Sequence, residues 1–151
     1  MKRAVIYQAG FIILTAASLC LILYGLQVLI QPGILLGTFP AQLDQYSQEA
    51  RGYLAGLYRL LGYFNILPGL ISLLLLLWAR RGRENHSLRI AIMTIFLAYL
   101  GPIVFDNTVG SIGFFEILEH ILFVLVIIAG IALWNSGKDG RHVSQHPAAN
   151  T

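Results

Sequence analysis

The chain has 151 residues, 57% hydrophobic and 11% charged, whereas soluble domains run near 45–50% apolar and about 25% charged. That balance, with a mean hydropathy of +0.73, excludes an ordinary water-soluble globule and, at this length, describes one membrane domain. The net charge of +3 comes from basic residues beside apolar runs, where they act as topology and lipid-headgroup signals. Nucleic acid is not an expected partner. Cys20 is the only cysteine, so an internal disulfide or a paired-thiol relay is excluded.

Four apolar runs follow in chain order, and each needs roughly 20 residues to cross a bilayer. The first, residues 4–30, begins after Met1-Lys2-Arg3 as a signal peptide would. It is too long for one and lacks a small-residue cleavage pattern, so a retained helix is expected. Leu19 before Cys20 also argues against a lipoprotein signal. Residues 31–52 form a long connection, apolar at 33–40 and polar from Asp44, that either tethers along the interface or folds over as a lid. The second run, 53–79, carries Arg59, Asn65 and Pro68. Pro68 frees the carbonyl of Phe64, which predicts a kink whose orphan acceptor is met by Asn65 or water.

The third run, 88–105, is the shortest, with Asn85 or Ser87 as its cap and Pro102 near its end. The fourth, 113–134, carries Glu116, Glu119 and His120 in its first half. After it comes a polar tail, 137–151. The expected fold is all-α and integral to the membrane: a bundle of four transmembrane helices over residues 1–136.

Charge sets the orientation. Lys2, Arg3, Arg80, Arg81, Arg83, Arg89, Lys138 and Arg141 are eight of the ten basic residues, and by the positive-inside rule they place both termini and the central loop in the cytoplasm. So uneven a bias argues against a dual-topology transporter. The first helix also lacks the carboxylate on which small multidrug exporters rely. Paired axial histidines for an intramembrane haem are missing, because His120 is the one histidine within the runs. Trp78 and Trp134 fall at the inner ends of their helices, as an aromatic belt requires. His86, His142 and His146 lie in solvated segments, and the sequon at Asn85 faces the cytoplasm, where it is not glycosylated.

Glu116, Glu119 and His120 stand at i, i+3 and i+4 and share one face, roughly 5 to 10 Å below the outer surface. Charges at that depth face a bundle interior or a wet cavity and have partners. Arg59 and Tyr63 on the second helix, Tyr99 and Asp106 on the third, and Tyr24 and Gln27 on the first lie at matching depth. The inner half is almost wholly aliphatic and aromatic, so an outward polar pocket over an apolar floor is expected. Two uses compete. Arg59 pairs with Glu116 or Glu119 to fix helix order, or the carboxylate in excess over Arg59 serves as proton donor or cation site. Glu116 and His120 have metal-ligand spacing, but the zinc-helix pattern needs a second histidine, and no metal or other cofactor is assigned. Gly52/Gly56 and Gly33/Gly37 are small-xxx-small pairs compatible with close helix contact.

Four helices over residues 1–136, with Arg51-Gly-Tyr-Leu-Ala-Gly-Leu-Tyr-Arg-Leu-Leu-Gly62 opening the second, resemble the small four-helix DoxX-like bacterial membrane proteins of unassigned function. The emopamil-binding-type isomerases are more distantly similar in size and in carrying intramembrane acids and a histidine. The DoxX-like resemblance implies an accessory-subunit or small-molecule role in a bacterial inner membrane and carries over no catalytic residue. The expected function is therefore binding of a lipophilic small molecule or of a larger membrane complex. The alternative is a membrane enzyme acting on a lipid, quinone or isoprenoid, with Glu116 or Glu119 as acid or base, His120 as relay and Arg59 stabilising charge. A proton-coupled transporter ranks third, since no polar path continues inward. The bilayer and a second copy of the chain complete the expected partners.

Overall fold

The computed structural model describes residues 2–31, 47–82, 85–109 and 114–136. They form four helices, α1 (Lys2–Ile30), α2 (Gln48–Gly82), α3 (Asn85–Val109) and α4 (Phe114–Ser136), with no strand among the described residues. All four are long and apolar enough to cross a membrane. Segments 32–46 and 137–151, which hold Gly33, Gly37, most of the expected lid and the polar tail, lie outside the described residues.

The helices overrun the apolar runs for identifiable reasons. At the start of α2, Ser47 acts as a cap: its Oγ accepts from the Ala50 amide at 3.3 Å and its carbonyl from the Arg51 amide at 3.1 Å. At the other end, Arg80 and Arg81 occupy the last turn, where cations favour the helix dipole. Neither Pro68 nor Pro102 terminates its helix, since an apolar surrounding leaves freed backbone groups no better partner outside the helix. The expected Asn65 contact is corrected: Asn65 Nδ2 donates to the carbonyl of Leu61 at 3.0 Å and not to that of Phe64. Two turns on, Ser72 Oγ lies 2.7 Å from the carbonyl of Pro68.

Buried residues on α2, Gly62, Asn65, Gly69, Ser72, Leu76 and Ala79, alternate in steps of three and four. On α1, Phe11, Leu14, Ser18, Leu21, Gly25 and Val28 do the same. This spacing keeps one seam facing a neighbour as two antiparallel helices wind together. Backbones approach closely along it: a Cβ at Gly25 would lie 2.6 Å from the Gly62 carbonyl oxygen, and one at Gly62 would lie 2.7 Å from that of Gly25. One level down, a Cβ at Gly69 would meet Ser18 O at 2.9 Å, and the Ser18 and Ser72 hydroxyls bond each other at 2.9 Å. Among the described residues nothing lies within 4 Å of a Cβ built at Gly52 or Gly56, so the close seam lies deeper in the helix than that pair.

Around the bundle, α1 packs on α2, α2 on α3, α3 on α4 and α4 back on α1, with the α1–α2 seam the most extensive. Helices α2 and α4 occupy opposite corners without substantial contact. Leu14, Leu76, Ile95, Val126 and Leu133 fill the centre, and Leu133 lies 3.0 Å from where a Gly10 Cβ would stand. The outward faces are as apolar as the core: Ile12, Leu23, Leu74, Leu97 and Ile131 are more than half exposed.

Candidate functional site

The seam between α3 and α4 carries polar groups at one end and an apolar groove at the other. At the polar end, where α3 finishes and α4 begins, Asn107 Nδ2 donates to the Ile103 carbonyl at 2.8 Å and stands 3.1 Å from His120 Nε2. The backbone carbonyl fixes which way the amide points, because turning the oxygen toward Ile103 would set two acceptors face to face. With Nδ2 as the donor, His120 Nε2 is the acceptor of this contact. Glu119 and His120 are both half-buried. The Glu119 carboxylate and the Cys20 thiol lie within electrostatic range of the Tyr99 hydroxyl.

Tyr99 is only 3% exposed and its hydroxyl donates to the Ala17 carbonyl at 3.0 Å, tying α3 to α1 through the bundle interior. It is an interhelical strut more than a wall of an open pocket. Arg59 and Tyr63 are exposed on α2. Because α2 lies diagonal to α4, the structure does not gather them with Glu119 and His120. Glu116 and Asp106 sit in the helical backbone of α4 and α3, but their side chains lie outside the described residues. Among the described residues no group of three His, Cys, Asp or Glu side chains is placed to hold a metal ion.

Asn107 is the site residue that sequence reasoning passed over. A signal for it existed: it follows Asp106 and stands four residues after Ile103, the spacing at which a helical side chain can bond back to its own backbone. The Ser18–Ser72 pair was missed for a different reason, since two serines in separate apolar runs show no sign of facing each other.

The other half of the seam is apolar and holds an open groove. A groove of about 310 Å³ runs between the helices over Ile92, Met93, Phe96, Ile127, Gly130 and Ile131. At the basic end it adjoins a small notch bordered by Asn85 and Arg89, with Ile92 and Trp134 shared by both. The Arg89 guanidinium stacks over the Trp134 ring at 4.6 Å from its centroid. Farther in, the Phe96 and Phe123 rings stack at 5.2 Å.

No protein-family profile, curated protein or solved structure matches the chain.

Proposed function

We propose that this chain is a four-span protein of a bacterial inner membrane, both termini cytoplasmic, that binds a small lipophilic ligand through the polar end of the α3–α4 seam. The observation that carries this reading is the Asn107–His120 contact beside Glu119: side chains with titratable and amide groups meeting at one end of the α3–α4 seam. Intramembrane polar groups are costly and tend to serve a site. Continuous apolar outer faces support the membrane setting, since so much exposed apolar surface is untenable in water. The DoxX-like resemblance fits the same role, either as a ligand-binding protein or as the ligand-carrying subunit of a larger membrane complex.

Binding is favoured over acid–base chemistry by one feature. Asn107 occupies the lone pair of His120 Nε2, the atom a relay would use to take a proton. The test is native mass spectrometry of the protein released gently from its membrane, beside a Glu119→Gln/His120→Ala variant. The expected result is a small molecule retained by the wild type and lost from the variant. Identical spectra for the two, or no bound molecule in either, would overturn the reading.

A further inference from the structure

The α3–α4 groove differs from an ordinary lipid-facing crevice in opening at one end onto charge. Gly130 and Ile92 both line it, and a Cβ at Gly130 would lie 2.9 Å from Ile92 Cγ2, so a larger residue there would press on the groove wall. At the basic end the groove meets Arg89 and Asn85, with Arg80 and Arg81 of the last α2 turn at the same end of the bundle. From Arg89 to Phe96 is roughly 10 Å of helix, most of the ~15 Å that one leaflet adds to the hydrocarbon core. The Phe96–Phe123 stack marks its deep end. A cation at headgroup level, apolar walls for most of one leaflet and an aromatic stop toward the midplane together match one acyl chain below an anionic headgroup. A partner helix would call for a groove through both leaflets, and a free phosphate would leave the apolar walls uncovered.

We propose that this groove holds one anionic phospholipid of the leaflet at the basic end, its acyl chain along Gly130 and its phosphate at Arg89. The site is separate from the polar end of the seam and rests only on the membrane setting proposed above. Charge complementarity selects the headgroup, since a basic side chain near an anionic lipid surface contributes about a fivefold preference.

Trp134 borders the groove and reports on it directly. The chain has two tryptophans, so a Trp78→Phe background leaves Trp134 as the single fluorophore. This protein is reconstituted into phosphatidylcholine vesicles containing phosphatidylglycerol, with bromine on the acyl chains of one lipid or the other. Brominated phosphatidylglycerol is expected to quench Trp134 with about fivefold higher apparent affinity than brominated phosphatidylcholine. Arg89→Gln should bring the two lipids level, and Gly130→Leu and Met93→Phe, two independent ways of filling the groove, should each weaken quenching by both.

Equal quenching by the two lipids in the wild type would overturn the proposal and leave the membrane setting intact. Absence of quenching by either would overturn both. A preference that survives Arg89→Gln, or one untouched by both groove-filling variants, would place the lipid elsewhere on the basic surface and overturn the assignment. Quenching that rises as protein is diluted into excess lipid would show a second copy seated in the groove, and would overturn it too.

Discussion

At the residue scale, Asn107 bears on the tautomer of His120. Asn107 is anchored by the Ile103 carbonyl and presents a donor, an arrangement that complements a ring with its lone pair on Nε2. Protonating Nε2 would set two donors face to face, and the amide could turn its oxygen inward only by giving up its bond to the backbone. In the wild type, the ¹⁵N shifts of labelled histidine, read where the ring is uncharged, should show Nδ1 protonated and Nε2 bare for His120. Asn107→Ala should give a tautomer mixture, and a mixture already present in the wild type would contradict the arrangement. Here the sequence was informative about one helix and silent about two. Glu119 and His120 share a face because helical spacing demands it, but no pattern within either apolar run says that Asn107 reaches across to meet them.

At the element scale, helix existence was readable from apolar length, and helix ends were not. Caps and terminal charges carry α2 past its apolar limits at both ends, and Pro102 fails to stop α3 because the backbone has nowhere better to bond. Glycine tells the same story. Gly52 and Gly56 satisfy the small-residue pattern but have no close neighbour on another helix among the described residues, whereas Gly25 and Gly62, in different helices, hold two backbones together. Gly62→Ala should destabilise the bundle by roughly 1–3 kcal/mol, the range for overpacking a close contact. Gly52→Ala should be neutral, or stabilising by up to about 1 kcal/mol through helix propensity. Reversible unfolding in detergent micelles would measure both, and equal effects would refute the seam.

At the scale of the whole molecule, the order of helices around the bundle decides which polar groups can meet. Arg59 matches Glu119 in depth along the chain, but the two stand on opposite corners, and depth alone cannot reveal a diagonal. The orientation proposed for the membrane, by contrast, rests on the distribution of basic residues. On a Cys20→Ser background, Arg81→Cys should react with a membrane-impermeant maleimide only after the cytoplasmic face is opened, and Gln48→Cys should react in intact cells. The reverse pattern would invert the topology.

The α1–α2 seam also bears on biosynthesis. Its closest contacts, Gly25 with Gly62 and Ser18 with Ser72, are complete once residue 82 has been made, whereas Leu133, which packs at Gly10, comes some fifty residues later. At roughly 5–20 residues per second, the ribosome leaves the first two helices several seconds together before α4 arrives. The half of the molecule with the tightest backbone fit is thus the half that must be right first, and the open-grooved half assembles onto a finished template.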